Sequence, residues 1–171
     1  MNKKVLKEIF SWVMVFVVAF ALAFTINKVV YFKVVVPSAS METTIMTGDK
    51  VIAFPLAYKL SKPKRGDIIV FPFPDDEEVD YIKRVMGLPG ETIEGKDGLV
   101  YIEGVPLNEP YVKETLNSDF GPYTVPKDSY FMMGDNRNDS ADSRFWTNTF
   151  VKKDKIKGKA IFKYPKFTWL N

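Results

Sequence analysis

The sequence contains no cysteine and no histidine among its 171 residues. Without cysteine there can be no disulfide, no thiolate nucleophile and no cysteine-based metal site. Without histidine there can be neither a Ser-His-Asp nor a Cys-His catalytic arrangement, and the usual zinc sites are excluded as well. A hydrolase that used a serine in this chain would therefore need a different side chain as its base.

The chain also lacks a strong excess of charge. Lysine and arginine number 24 against 21 acidic residues, which gives a formal net charge of only +3. Such a balance, without a run of basic residues, does not favour nucleic-acid binding. The length and the apolar and charged fractions are those of one globular domain of ordinary size with a short appendage.

A long apolar segment, residues 9–26, lies near the N-terminus and contains no charged residue. As a helix it would be about 27 Å long, which is enough to cross the core of a bilayer. A buried amphipathic helix is the alternative, but the segment is apolar on all sides, which favours a transmembrane anchor. Trp12 near one end and Tyr31 beyond the other could lie at the two interfaces.

The apolar segment could also belong to a removable signal peptide, because Ala21-Leu22-Ala23 has the small-x-small pattern of a cleavage site. The apolar run continues past this site and exceeds the apolar region of a typical signal peptide, so we predict an uncleaved anchor. Lysines are slightly more frequent before the segment than after it. This bias predicts that residues 1–8 are cytoplasmic and that residues 34–171 form an extracytoplasmic domain of a plasma-membrane protein.

Residues 34–171 have the pattern of a β-rich domain. All eleven prolines lie after the apolar segment, and short β-prone runs alternate with turn signals. We predict strands at residues 34–36, 51–54, 68–71, 81–85, 99–102, 130–133 and 160–164. A helical turn is expected at residues 41–46, and surface loops are expected over residues 103–126. The predicted fold class is mainly β, with a single N-terminal transmembrane helix followed by an all-β domain, a folded antiparallel or barrel-like sheet.

Three polar clusters lie within this domain, at residues 37–44, 80–90 and 134–144. Each has an ordinary explanation: a serine-rich turn, a solvated edge strand and a polar loop. The third cluster is dense in oxygen ligands and could suggest a calcium site. However, Arg137 and Arg144 lie among its acidic residues and no spaced ligand array ends in glutamate, so we expect no metal.

Together and in this order, the clusters resemble the motifs of the bacterial type I signal peptidases (leader peptidases), in their small single-anchor, Gram-positive-like form. The nucleophile motif, Ser-Met-x-Pro-Thr-Leu in the family, lies at residues 40–45 with Thr43 in the place of proline and Ile45 in the place of leucine. The lysine motif Tyr-Ile-Lys-Arg-Val-x-Gly-Leu-Pro-Gly-Asp is matched except that Glu91 takes the last place. The third motif, Gly-Asp-Asn…Ser-x-Asp-Ser-Arg, is matched throughout.

The resemblance implies a membrane-bound serine endopeptidase with a Ser-Lys dyad. Ser40 would be the nucleophile and Lys83 the base, in agreement with the missing histidine. The pKa of a free lysine is about 10.4, so it must fall by roughly three units before the amine can accept a proton near neutral pH. Burial could lower it, because Lys83 lies in a predicted strand between Ile82 and Val85, with Arg84 on the opposite face.

The resemblance also implies the roles of four further residues. Ser38 would offer its hydroxyl, together with the backbone N–H of Ser40, to the oxyanion. Ser140 would form a hydrogen bond with Lys83, and Asp142 and Arg144 would form an ion pair that supports the dyad.

Substrate binding would follow from the strands that flank the dyad. The resemblance places Val34, Val36 and Pro37 on one side of an extended cleft. Tyr81 and Ile82 would lie on the other side, so that an extended peptide could pair with both edges. The implied activity is cleavage of signal peptides from exported preproteins after small-x-small sites such as Ala-x-Ala. The implied partners are these signal peptides and the lipid bilayer, and no cofactor is implied.

Three other classes of protein remain as alternatives. A self-cleaving Ser-Lys protein of the repressor type would carry a DNA-binding domain where this chain has its apolar segment. A penicillin-binding protein or β-lactamase needs lysine three residues after the serine, but Thr43 occupies that position. A membrane-anchored β-module that binds an extracellular partner would have no reason to contain all three motifs.

Overall fold

The structure is a computed structural model that describes residues 3–59, 61–165 and 168–170, with the backbone alone for residues 25–29. The predicted segments 1–8 and 34–171 include residues 1, 2, 60, 166, 167 and 171, which lie outside the described residues. The side chains of residues 25 and 26, at the end of the predicted anchor, lie outside them as well.

A single long helix, α1 (Lys3–Val29), begins the chain. Its segment Lys3–Phe24 has a mean hydropathy of 2.1, and its apolar side chains are not buried against protein. Phe16 and Phe20, for example, are 72% and 75% exposed. An apolar helix that packs against no other part of a protein needs a lipid environment. The buried-helix alternative is therefore wrong, and α1 fits a transmembrane anchor.

The rest of the described chain is built from strands. In chain order they are β1 (Phe32–Val35), β2 (Lys50–Phe54), β3 (Ile68–Phe73), β4 (Asp76–Gly87), β5 (Thr92–Lys96), β6 (Leu99–Ile102), β7 (Val105–Pro106), β8 (Phe120–Thr124), β9 (Ser129–Met133), β10 (Val151–Lys152), β11 (Gly158–Tyr164) and β12 (Thr168–Trp169). Three short 3₁₀ helices, Ala39–Met41, Pro55–Tyr58 and Lys153–Lys155, lie between them.

The strands form two antiparallel sheets. The larger sheet has the order β1-β2-β11-β3-β4-β9-β10, with β12 beside β11, and the smaller sheet has the order β7-β6-β5-β8. The long strand β4 pairs with β3 over most of its length, but with β9 only from Arg84 onward. The preceding residues of β4 therefore keep one free edge, and this edge becomes important for the site.

Three apolar clusters stabilise the two sheets. The first contains Met41 from the 3₁₀ turn and Ile82 from β4, so that the nucleophile motif and the lysine motif share one core. The second joins Ile93 of the smaller sheet to Phe131 of the larger one. The third is rich in aromatic residues and contains Trp146. Each fully buried side chain of this size contributes about 1.5–3 kcal/mol, so these clusters fix the relative positions of the three motifs.

The hairpin of β5 and β6 shows how the local sequence determines a turn. Its two-residue loop, Asp97-Gly98, has positive φ at both positions, 52° and 82°. This is the geometry of a type I′ turn, which suits the twist of a hairpin and favours Asp-Gly.

The mainly β, antiparallel fold that we expected is confirmed, and a strand lies at each of the seven predicted positions. The region 103–126 is not entirely loop, because β8 pairs there with β5. The glycine and proline within β8 disfavour strand structure and conceal it in the sequence. The expected helical turn lies earlier than residues 41–46, at Ala39–Met41.

Candidate active site

The turn that follows β1 holds Ser40 in place. Backbone hydrogen bonds join Val36 to Asp49 and Gly48 at 3.0 and 2.8 Å, which closes the loop around the turn. Met41 is fully buried, and this burial fixes the 3₁₀ turn from below. Ser40 itself is 7% exposed, so it is largely shielded from solvent.

Lys83 reaches the same point from β4. Its Nζ lies 2.6 Å from Ser40 Oγ and 3.3 Å from the backbone oxygen of Ile82. The side chain is 4% exposed, and the residue opposite it on β3 is the apolar Ile69. The two residues implied as nucleophile and base are thus in direct contact, as a Ser-Lys pair requires.

Burial lowers the pKa of Lys83 from 10.5 to about 8, while the nearby carboxylates of Asp142 and Asp135 oppose this shift. Loss of hydration is the larger effect, because an ammonium group without water is costly. A substantial fraction of Lys83 is therefore neutral in mildly alkaline solution. A neutral amine at this distance from Ser40 Oγ can accept the proton of the hydroxyl group.

Ser38 lies at the open side of the pair. Its Oγ is 3.3 Å from Ser40 Oγ, and its side chain is exposed. A hydroxyl in this position can rotate toward a substrate oxygen beside Ser40 Oγ. It therefore lies where a donor to an oxyanion would be needed.

The expected hydrogen bond between Ser140 and Lys83 is not formed, and that prediction is wrong. Ser140 Oγ is buried and has no hydrogen-bond partner among the described residues. It lies over the backbone of Gly134, where a Cβ atom would collide with Ser140 Oγ and with the backbone oxygen of Ser40. The amine of Lys83 is held instead by Ser40 and the backbone of Ile82.

Asp142 and Arg144 form a buried ion pair with an Oδ1–Nε distance of 2.7 Å. Asp142 Oδ2 also accepts a hydrogen bond from the backbone N–H of Gly134 at 3.0 Å. Arg144 in turn donates to the backbone oxygen of Arg137 at 2.7 Å. These bonds close the loop 134–144 on itself and hold it against the dyad.

A second buried ion pair, between Arg84 and Asp135, was not among the site residues that we expected. Two parallel hydrogen bonds of 2.8 and 2.6 Å join them, and their side chains are 2% and 0% exposed. Asp135 also accepts a hydrogen bond from Thr44 Oγ1, so it links all three motifs. A signal for this pair was present in the sequence. The lysine motif contains Arg84 and the third motif contains Asp135, and neither charged residue had another assigned role.

The loop 134–144 also contacts the nucleophile turn directly. The backbone N–H of Asn136 donates to the oxygen of Ser40 at 3.2 Å. Its side-chain amide donates to the oxygen of Ala39 at 3.1 Å. Asn136 therefore stabilises the turn through hydrogen bonds to two of its backbone oxygens.

A cavity of about 400 Å³ opens above the dyad. Of the residues expected to bind substrate, Pro37, Tyr81 and Ile82 line it. Val34 and Val36 do not: Val36 is fully buried in the first core cluster, and Val34 packs against that cluster. The expectation that they form a wall of the cleft is therefore wrong: the alternation of β1 turns Val34 toward the core, and Val36, the residue after β1, is buried there too.

Among the residues that the structure describes, no three acidic side chains gather into a group that could hold a metal ion. The two buried carboxylates near the dyad are instead paired with Arg84 and Arg144. These arginines occupy the places that a cation would need, so the calcium alternative has no support in the geometry.

Comparison with known proteins gives consistent results. Residues 9–165 match the family described as "Signal peptidase, peptidase S26". The chain is 35% identical over 176 residues to signal peptidase I of Bacillus licheniformis, covering 97% of this chain and 92% of that protein. It is 36% identical over 172 residues to signal peptidase I S of Bacillus subtilis strain 168, covering 94% and 91%. A crystal structure of a signal peptidase I from Enterococcus faecalis V583 superimposes with a TM-score of 0.52 at 39% identity, covering 59% of this chain and 98% of that chain.

The low pKa of Lys83 predicts a pH-dependent stability. Between pH 8 and 10.5 the unfolded chain binds more protons at this lysine than the folded chain, so the contribution of Lys83 to the free energy of unfolding should rise with pH. Across that window the rise should be roughly 3 kcal/mol, and Lys83→Met should abolish it. Thermal unfolding of the detergent-solubilised chain at pH 7.5 to 10 would measure the effect.

Lys96→Met provides the control, because that lysine is exposed. It should leave the pH dependence unchanged. If the stabilities of the Lys83→Met variant and the unsubstituted chain ran parallel across this pH range, the lysine could not have a lowered pKa.

Proposed function

This chain belongs to the signal peptidase family, peptidase S26, and from that membership we propose that Ser40 and Lys83 are its catalytic dyad. The family makes the chain a hydrolase of peptide bonds. The observation that carries the proposal is the contact of 2.6 Å between Lys83 Nζ and Ser40 Oγ. Burial of the amine and a cavity directly above the pair support it.

The first half of the reaction transfers the signal peptide to the enzyme. Neutral Lys83 accepts the hydroxyl proton of Ser40 while Oγ attacks the carbonyl carbon of the scissile bond. Negative charge develops on the carbonyl oxygen, and the hydroxyl of Ser38 and the backbone N–H of Ser40 donate hydrogen bonds to it. The ammonium group of Lys83 then protonates the departing nitrogen. The C–N bond breaks, and an ester between Ser40 and the signal peptide remains.

The second half of the reaction repeats these roles with water. Lys83, neutral again, accepts a proton from the water molecule that attacks the ester. The bond to Ser40 Oγ breaks, and Lys83 returns the proton to that oxygen. Since one lysine acts as both base and acid, a pKa of about 8 is close to the value that serves both steps near neutral pH.

Substrate binding follows from two free strand edges. β1 is the last strand of its sheet, and the residues of β4 before Arg84 pair on one side only. β4 lines the cavity with Tyr81 and Ile82, and the segment that follows β1 lines it with Pro37. An extended peptide there could form backbone hydrogen bonds with either edge. Alternate side chains of that peptide point the same way, so the first and third residues before the cut would face the enzyme together. We propose that both positions take small residues, as in Ala-x-Ala, because the chain belongs to the signal peptidase family.

The position of the substrate is consistent with the helix. A signal peptide emerges at the surface of a membrane, and α1 fits an anchor in that membrane. We propose that residues 1–8 are cytoplasmic, that residues 9–26 span the bilayer, and that residues 34–171 form the extracytoplasmic peptidase domain. The slight excess of lysine before the anchor supports this orientation.

Replacing either member of the dyad should abolish cleavage. Ser40→Ala lacks the nucleophile, and Lys83→Arg keeps its charge at any accessible pH and cannot accept a proton. Both should lower the turnover of a preprotein by about 10³-fold or more. For the unsubstituted chain, turnover should rise with pH along a single ionisation near pH 8. Assays of the detergent-solubilised full chain, with folding checked by thermal unfolding, would measure both effects.

Ser118→Ala and Lys96→Arg are matched controls, because both side chains are exposed in the smaller sheet and its loops. They should retain normal turnover. Near-normal turnover of Lys83→Arg would show instead that this lysine is structural.

Truncating Ile82 should widen the range of substrates. The side chain is buried beside Ser40 and lines the cavity. The unsubstituted chain should cleave a peptide with leucine in place of alanine at the first or third position about 10–200-fold less efficiently. Ile82→Ala should reduce this discrimination, because the cavity gains the volume of three methyl(ene) groups. The ratio of kcat/KM for the two peptides is the measurement.

Ile161→Ala is the matched control for this comparison, since Ile161 lies on β11 and does not line the cavity. It should leave the discrimination unchanged. Equal discrimination by Ile82→Ala and the unsubstituted chain would mean that this side chain does not limit substrate size.

The proposed orientation predicts which part of the chain an external protease can reach. Protease added to intact protoplasts should digest residues 34–171 or bind to them, while a tag attached before residue 3 should survive until lysis. A cytoplasmic marker protein provides the control for leakage. Protection of the C-terminal domain until lysis would contradict both the orientation and the proposed access to exported substrates.

A further inference from the structure

A loop of the smaller sheet reaches across to the lysine strand. Tyr111, between β7 and β8, places its ring under the guanidinium of Arg84, with 3.9 Å from the ring centroid to Cζ. Its hydroxyl donates to Glu109 Oε1 at 2.7 Å. Arg84 is the residue next to Lys83, and it is 2% exposed. The region that the sequence predicted to be surface loop therefore contributes to the surroundings of the dyad.

The same loop is tied to the third motif. Glu109 accepts two hydrogen bonds from Arg137, at 2.6 and 2.9 Å. Arg137 is 3% exposed, and its Nε donates to the backbone oxygen of Gly134 at 3.1 Å. One connected cluster is thus formed by Arg84, Glu109, Tyr111 and Arg137. It lies between the lysine strand and the loop 134–144.

The charges that act on Lys83 come from several elements. Two buried carboxylates of the loop 134–144 act on its amine, and two exposed carboxylates line the cavity. The nucleophile turn contributes an uncharged hydroxyl, and β3 contributes an apolar side chain. The buried carboxylates are Asp142 and Asp135, and the exposed ones are Asp80 and Asp139. The hydroxyl is that of Ser40, and the apolar side chain is that of Ile69. Asp80 is paired with Lys157, Asp142 with Arg144, and Asp135 with Arg84.

We propose that Tyr111 is a positioning residue for the reaction, because its ring holds Arg84 on Asp135 and so keeps the charge of Asp135 compensated beside Lys83. This inference rests on the proposed Ser-Lys function. The attraction between a guanidinium and an aromatic face is strongest without water, and both groups are largely buried here. Arg84 also donates to Gly66 O, at 2.7 Å, so Asp135 is not the only acceptor of its guanidinium.

The sign of the effect follows from the charges. With the ring removed, Arg84 is held less firmly, and Asp135 is compensated less completely. A less compensated carboxylate favours the protonated form of Lys83 and raises its pKa. Because only neutral Lys83 can accept the proton of Ser40, turnover near neutral pH should fall and recover at higher pH. A purely structural defect would lower turnover equally at every pH.

The experiment compares substitutions of Tyr111 in the detergent-solubilised full chain. Tyr111→Leu and Tyr111→Met remove the aromatic face, whereas Tyr111→Phe keeps it and loses only the hydroxyl. Tyr101→Leu is the matched control, since Tyr101 lies in β6 of the same sheet. For each variant, kcat and KM for a signal-peptide substrate are measured from pH 6 to 10, and folding is checked by thermal unfolding.

Tyr111→Leu and Tyr111→Met should move the midpoint of the kcat profile upward by about 0.5–1 pH unit. This shift is smaller than the one that a full uncompensated charge at contact distance would cause. At pH 7 their kcat should fall by about three- to tenfold, the factor that such a shift produces, with KM unchanged. The midpoint of Tyr111→Phe should stay in place, as should that of Tyr101→Leu.

Three results would overturn the inference. These are an unchanged midpoint in both ring-less variants, an equal shift in Tyr111→Phe, or failure of both ring-less variants to fold, which would make the ring a requirement of folding alone. Failure of the proposed function would look different. Ser40→Ala would then retain cleavage, or the unsubstituted chain would show no ionisation near pH 8, whatever Tyr111 does.

Discussion

The contact between the amine of Lys83 and the hydroxyl of Ser40 can exist in a useful form only where water is excluded. In water the amine would be charged at neutral pH and could not accept the proton of Ser40. The position of β4 inside the larger sheet satisfies this condition, because an apolar partner on β3 and the nucleophile turn cover the side chain. The 3₁₀ turn, the shared core and the loop 134–144 all help to exclude water from the contact between Lys83 and Ser40.

Two acidic side chains beside a buried lysine would work against its deprotonation. Each carboxylate is paired with an arginine, and all four side chains are at most 4% exposed. Such pairs add little net stability, because the loss of hydration offsets most of their attraction. Their value here is geometric, since each pair fixes part of the loop 134–144 at the dyad. The charges near Lys83 are thus neutralised without removing the groups that hold the site together.

Much of the fold could be predicted from the sequence because its signals are local. Runs such as Leu99–Ile102 are β-prone and bounded by turn residues, and the unbroken apolar segment leaves few structures open to α1. Lys83 could be chosen as the base because it lies in a strand between the apolar Ile82 and Val85, with Arg84 on the opposite face. β8 was missed because its glycine and proline weaken the local pattern, and only pairing with β5 makes it a strand.

The remainder of the site depends on contacts between distant parts of the chain. Arg84 and Asp135 are 51 positions apart, and no local pattern indicates that they meet. Val36 could have faced either the substrate or the core, and its backbone hydrogen bonds with Gly48 and Asp49 accompany a side chain buried in the core. Ser140 is buried near the dyad residues, yet its hydroxyl lies over Gly134 rather than at Lys83. Residue types could therefore be assigned to the site in advance, but their partners could not.

The connection between α1 and β1 consists of only two residues, Val30 and Tyr31. Even fully extended, two residues span about 7 Å, so the tether has almost no slack. An enzyme on so short a tether searches for its substrate in two dimensions, at the high effective concentration that a shared bilayer provides. The proposed backbone pairing of a substrate with β4 can then be weak and still be sufficient for capture. The tether also limits where the proposed nucleophile can act, because a peptide bond far from the membrane surface lies beyond the reach of Ser40.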